Sequence, residues 1–298
     1  MEASLAQRRL EKGLEVQRLL HLNDLPGLRE ACVSEFGLVS DQLRAEAWPL
    51  LLTPSVLPWH PRKDHRDQRQ IDLDCNRSFY NYDVLTGLSG RLRGRKVDEL
   101  TEVLNQVFLQ SPELYYYQGF HDICTVLLLV CGKDLAYHMA HRLAVSHYKD
   151  CMRKTLTEGL VQQVKLIYAL LEQRDPELAE VLQQLSPEMV RCRQPMVALP
   201  LVMAGFQHDI EDYEVAVRIF DFLLSTHPSA SLYLCAAIFQ SQKAALLVCE
   251  DMSELHEVFK ASLRTADFDQ LCLQAWEAMN ECPPPVLAAL SEEPFESE

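Results

Sequence analysis

Apolar positions recur along the chain at helical intervals. After Lys96 they fall at Val97, Leu100, Val103, Leu104, Val107 and Phe108, one face of an amphipathic helix. Two further stripes run through Leu160, Val161, Val164, Ile167, Tyr168 and Leu171, and through Val215, Ile219, Phe220, Leu223 and Leu224. Strand-type alternation is nowhere sustained. The pattern predicts an all-α fold of roughly a dozen helices.

Breaks in the pattern place the connections. Ser111-Pro112 predicts a stop and a new start, with Ser111 as N-cap and Pro112 at the first helical position. Thr53 to Gln70 carries three prolines among charges and reads as a long surface loop. Asp175-Pro176 and Ser186-Pro187 bracket a short helix. Cys282 to Glu298 is rich in Pro and Glu and predicts a disordered tail. No internal repeat of solenoid length is visible.

Charge changes the picture in one place. The chain has 28 Lys and Arg against 43 Asp and Glu, a net charge of −15. Such a chain is repelled by nucleic acid and by anionic lipid unless its basic residues are concentrated. Between His60 and Lys96 nine Lys or Arg face five Asp, a net of +4 that leaves −19 for the rest. Composition alone favours a solvated, charged loop there. The same island is where an anionic ligand meets least repulsion.

Several chemistries find no support. The ten cysteines lack a C-x-x-C pair, which excludes metal-knuckle and thioredoxin patterns. The N-terminal residues have no apolar core and do not form a signal peptide, so the thiols are expected to be reduced in the cytoplasm. The apolar run Ile123 to Cys131 falls far short of the ~20 residues of a membrane span. No G-x-S-x-G occurs. Gly90 to Lys96 has the wrong spacing for a phosphate loop and reads as a flexible basic turn. His138 and His141, with Cys151 following, lack a fourth ligand and read as helix-surface histidines, so no metal is expected.

Three segments carry weight together. In the first, Arg44 and Trp48 stand one helical turn apart, so the guanidinium can lie over the indole or pair with a nearby acid. The second is Ile71-x-x-Asp74-x-x-Arg77. As a helix it would place all three roughly on one face, with Ile71 as anchor and Asp74 holding the Arg77 stem or neighbouring backbone. Arg77 would then project with a fixed fork. The third is Tyr117-Gln118-Gly119, within SPELYYYQGFHDI. Gly119 permits a positive φ or close approach by other backbone. Gln118 would be an exposed amide, walled by the three tyrosines. Each segment alone reads as packing, a surface ion pair or a stapled turn.

In combination and in this order, R-x-x-x-W, I-x-x-D-x-x-R and Y-x-Q-G resemble the TBC-domain Rab GTPase-activating proteins, over about Leu38 to Trp276. The resemblance implies a TBC fold over 37–280, with subdomains at about 37–152 and 153–280, a helical extension over 1–36 and a disordered acidic tail over 281–298. It implies that Arg77 and Gln118 enter the site of a Rab-family small GTPase in trans. Arg77 would stabilise charge on the transferring phosphoryl group and Gln118 would orient the attacking water. Asp74 would position Arg77, Tyr117 and Gly119 would shape the glutamine loop, and Arg44 and Trp48 would be structural supports. GTP and Mg²⁺ would be carried by the partner, which fits the missing phosphate loop. The resemblance also implies a role in vesicle trafficking, a GTPase of the early secretory pathway, and a cytoplasmic site peripheral to endoplasmic reticulum or Golgi membranes.

The chain departs from the family pattern in its second half. Ala198 to Phe206 has no tryptophan, and Phe220 stands where tryptophan is common. A catalytically silent helical scaffold is the other reading. It predicts that Arg77 or Gln118 is buried in a core contact; the activator reading predicts both exposed and facing one groove.

Overall fold

Short polar side chains set where many helices begin. Oxygens of Asp24, Ser40, Ser89, Asp212, Asp251 and Asp267 each accept a backbone N–H in the first turn of the helix they precede. Each such cap contributes about 1 kcal/mol relative to alanine. The computed structural model describes residues 2–61, 63–80, 82, 85, 87–153, 160–185 and 196–292. Its first half holds α1 (Glu2–Leu22), α2 (Leu25–Val33), α3 (Asp41–Leu52), α4 (Gln68–Arg77), α5 (Gly90–Gln110), α6 (Phe120–Cys131) and α7 (Lys133–Val145). Next come α8 (Leu160–Arg174), α9 (Pro176–Leu185), a 3-10 turn at Met196–Ala198, α10 (Leu199–Met203), α11 (Tyr213–Ser225) and α12 (Ala230–Ser241). The last are α13 (Lys243–Leu246), α14 (Met252–Thr265), α15 (Phe268–Glu281) and α16 (Pro284–Glu292). Among the described residues there is no strand, so the fold is all-α.

The described side chains of the three apolar stripes become buried or half-buried faces of α5, α8 and α11. The buried apolar residues form one continuous cluster from Val16 to Leu287. Each buried Leu, Ile or Phe contributes about 1.5–3 kcal/mol, so packing of these faces outweighs helix propensity. α11 lies against α2 and α3, while α12 lies against α8 and α15. The two halves of the chain are thereby interlocked.

Three expectations need correction. The tail was expected to be disordered from 281, but Pro284–Glu292 is helical and packs on α8. Proline suits the first helical turn because it lacks an N–H that would go unpaired. Leu287 and Leu290, one turn apart, then reach the core; residues 293–298 lie outside the described ones. No helix starts at Pro112. Ser111 closes α5, and the chain runs non-helically to Gly119. Tertiary partners take its amides: Tyr115 N donates to Met152 O at 2.9 Å and Tyr116 N to Asp67 Oδ2 at 3.1 Å. Gly90 to Lys96 forms the first turns of α5 and not a loose turn. Its Arg93 anchors it by donating to the carbonyls of Phe79 and Leu85.

Candidate functional site

α4 is held by its inner face. Ile71 and Cys75 are buried among apolar residues, while Arg69, Leu73, Asn76 and Arg77 are exposed. Ile71, Asp74 and Arg77 do not share one face as expected. At 100° per residue, six residues rotate the side chain about 120° away from Ile71. Arg77 therefore leaves the core while Asp74, 1% exposed, stays in it. Arg77 is in the last turn, where the helix dipole favours a cation. It makes no hydrogen bond or ion pair among the described residues.

Asp74 does not grip the Arg77 side chain either. Its carboxylate accepts from Gln70 Nε2 at 3.0 Å and from the Tyr116 hydroxyl at 2.8 Å. Its backbone carbonyl accepts from Ser78 Oγ at 3.0 Å, which closes the end of α4 just past Arg77. Asp74 thus fixes the helix, and the helix carries Arg77.

The glutamine segment is strapped down on both sides of Gln118. Tyr117 is buried and its hydroxyl donates to Met203 O at 2.8 Å. Gly119 has φ +118°, which β-carbon-bearing residues rarely adopt, so its expected conformational role is met. A methyl group on it would lie 3.6 Å from Ala204 Cβ, so the backbone after α10 passes close by. Gln118 itself is exposed, with no hydrogen bond among the described residues. The tyrosines do not wall a site as expected. Tyr116 and Tyr117 point inwards, and Tyr115 lies 3.6 Å beneath the Arg66 guanidinium.

A hydrogen-bonded chain joins the two segments. The Tyr116 hydroxyl sits between Asp74 Oδ2 on α4, at 2.8 Å, and His121 Nδ1 on α6, at 3.1 Å. The Gly119 amide donates to the same His121 Nδ1 at 3.3 Å. Burial, more than any charge, pushes the His121 pKa below its ordinary value; Asp122 and Asp74 oppose the shift and the Arg77 guanidinium adds to it. Both candidate side chains are exposed, on segments that one polar network joins. Tyr116 as a link, His121 and Asp122 were not singled out from sequence; only the phrase YYYQGFHDI pointed at them.

Arg44 and Trp48 belong to a separate, buried cluster. Of the two arrangements open to Arg44, the structure takes the acid. Its Nε donates to Asp221 Oδ2 at 3.2 Å and its Nη1 to Asp41 Oδ1 at 2.9 Å. Trp48 Nε1 donates to Asp221 Oδ1 at 2.8 Å, and the Leu38 amide donates to Asp221 Oδ2 at 3.0 Å. The Phe220 ring packs on Trp48 with centroids 5.6 Å apart. One α11 carboxylate thereby ties down α3 and the chain before it. No motif in the sequence singles out Asp221.

The basic island divides in two. Arg66, Arg93 and Lys96 are engaged by carbonyls, aromatic rings or Glu99. Arg69, Arg77, Arg91 and Arg95 are exposed and unpaired among the described residues. The histidines considered as ligands do not converge: His138 Nδ1 accepts from the Leu57 amide, and His141 Nε2 pairs with Ser111 Oγ. No group of three potential metal ligands occurs among the described residues. The nine described cysteines are free, and burial raises the Cys151 thiol pKa to about 12. No described helix is long and apolar enough to cross a membrane.

Known proteins resemble this chain in sequence and in fold. Residues 41–247 match the Rab-GTPase-TBC domain family. TBC1 domain family member 20 of Mus musculus is 29% identical over 296 residues, covering 96% of this chain and 71% of that protein. GTPase-activating protein gyp10 of Schizosaccharomyces pombe is 35% identical over 186 residues, covering 62% of this chain and 47% of that protein. The crystal structure of the Ypt/Rab-GAP domain of Gyp1p superposes with a TM-score of 0.67 at 15% identity, covering 87% of this chain and 92% of that one. The Chlamydomonas flagellar RabGAP TBC domain gives a TM-score of 0.64 at 14% identity, over 92% and 95%.

Proposed function

The chain belongs to the Rab-GTPase-TBC domain family, and from that premise we propose that it accelerates GTP hydrolysis on a Rab-family small GTPase by lending Arg77 and Gln118 in trans. The observation that carries the reading is the state of those two side chains. Each is exposed and unpaired among the described residues, on backbone that a shared hydrogen-bond network fixes.

Phosphoryl transfer asks for positioning and charge stabilisation more than for covalent chemistry. GTP and Mg²⁺ belong to the partner. The Arg77 fork neutralises charge that develops on the γ-phosphoryl oxygens and the β–γ bridge. An arginine acting so is worth about 10³–10⁵ in rate, or about 4–7 kcal/mol of barrier. Gln118 offers an acceptor to the attacking water and a donor to the phosphoryl oxygen. Arg69, Arg91 and Arg95 of the same basic island add positive charge that attracts the partner's anionic triphosphate.

Single-turnover GTP hydrolysis by a panel of GTP-loaded Rabs, including those of the early secretory pathway, tests this. At least one Rab should be accelerated by the wild type, and Arg77→Ala should abolish most of that acceleration. The assignment fails if no Rab responds, or if Arg77→Ala works as well as wild type.

A further inference from the structure

The peptide that joins Gln118 to Gly119 is held by one side chain. Its N–H donates to His121 Nδ1, two residues along, at 3.3 Å. Because a peptide unit is planar, fixing this N–H fixes the plane and therefore the direction in which the Gln118 side chain leaves the backbone. The second constraint is Gly119 itself, whose φ of +118° admits the turn.

An amide can only donate, so His121 Nδ1 must present its lone pair. A neutral ring then carries its proton on Nε2. That atom lies 3.3 Å from Asp122 Oδ1, a carboxylate oxygen at ion-pair distance. The other oxygen of Asp122 lies 3.1 Å from His208 Nδ1, on the segment after α10. The Tyr116 hydroxyl approaches the same Nδ1, and with this tautomer its one proton is shared between that lone pair and Asp74 on the arginine-bearing helix. The Gly119 amide, which can only donate, is the neighbour that selects the tautomer with a lone pair on Nδ1.

We infer that His121 is a positioning residue: through Nδ1 it sets the peptide plane that aims Gln118 at the partner's nucleotide. The inference rests on the reading of Gln118 as a finger. His121 lies buried behind the loop and acts only through Gln118.

Substitutions separate this role from simple packing. In His121→Asn, Oδ1 occupies the position of Nδ1 and keeps the acceptor. His121→Leu removes it at similar size. The experiment is a double-mutant cycle with Gln118→Ala, read by single-turnover hydrolysis at varied activator concentration on a responsive Rab. H121L should lower the maximal rate about ten- to a hundredfold, the scale of a small misplacement of a reacting group. The concentration giving half-maximal rate should stay within about twofold, because docking is untouched. H121N should recover most of the rate. In the Q118A background H121L should cost nothing further.

Multiplicative losses in the cycle, or an H121N rate as low as that of H121L, would overturn the inference while leaving the finger assignment standing. If Q118A alone matches wild type, the finger reading fails and this inference with it. Should H121L lose its cooperative melting transition, H121Q takes its place with the same expectations, since its acceptor sits one bond further out.

Discussion

Arg44 and Arg77 stand on consecutive helices, α3 and α4, and use the same side chain in opposite ways. Arg44 is 2% exposed, and its guanidinium is engaged by Asp41 and Asp221. Arg77 is exposed and engaged by nothing among the described residues. The first arrangement commits the guanidinium to two carboxylates inside the fold. The second leaves a planar, five-donor cation free on a rigid mount. Motif membership therefore does not assign a role; the use of hydrogen-bond capacity does. The same contrast separates Trp48, whose indole N–H is bound, from Gln118, whose carboxamide is free.

The contrast can be broken at several points. The largest stability effect should come from Arg44→Ala, which leaves the fully buried Asp221 carboxylate without this cation, held by the Trp48 and Leu38 donors. Urea unfolding should show a loss of roughly 3–5 kcal/mol. A loss below about 1 kcal/mol would mean that the cluster is not the brace described here. Trp48→Phe removes the indole donor to Asp221 together with part of a fully buried ring. It should cost more than the stranded acceptor alone, which is worth about 1–3 kcal/mol, with hydrolysis unchanged once the protein is folded.

Gly119→Ala should fall at the other end of the comparison. The added methyl group meets only ordinary contacts, so the strain is in φ and amounts to roughly 1–3 kcal/mol. Stability should drop modestly while GTP hydrolysis on the partner drops at least about tenfold. Equal, small losses in both would remove the special role of this turn.

The smallest effect near neutral pH concerns acid. Burial, followed by Arg142 and His227, pushes the pKa of His147 down to about 4. The unfolded chain then binds a proton at a pH where the folded chain does not. Stability is complete above the ordinary histidine value of 6.5 and is lost as pH falls towards about 4. His121 shifts in the same direction for the same first reason. His147→Gln should flatten the dependence of melting temperature on pH in that window. An unchanged slope would show that His147 does not carry it.

Much of this was readable in the residues. Helical periodicity gave the all-α class, and the order of three short motifs identified the two exposed side chains. What escaped was long-range. Asp221 lies 173 residues from Trp48, and no local pattern announces that pairing. His121 sits within a quoted phrase, yet its value depends on where the Gly119 amide points. The helix at Pro284–Glu292 was hidden by its prolines, whose helix-starting role shows only once Leu287 has a core to enter. At Pro112 the error ran the other way. A good local start signal lost to the carbonyl of Met152 and the carboxylate of Asp67.

The most direct test measures two properties of Arg77→Ala side by side: its melting temperature and its single-turnover acceleration of GTP hydrolysis on a responsive Rab. An exposed, unpaired side chain should leave the melting temperature within about 1 °C of wild type. The acceleration should fall by about 10³ or more. A variant that melts markedly lower, or that accelerates hydrolysis like the wild type, contradicts the account.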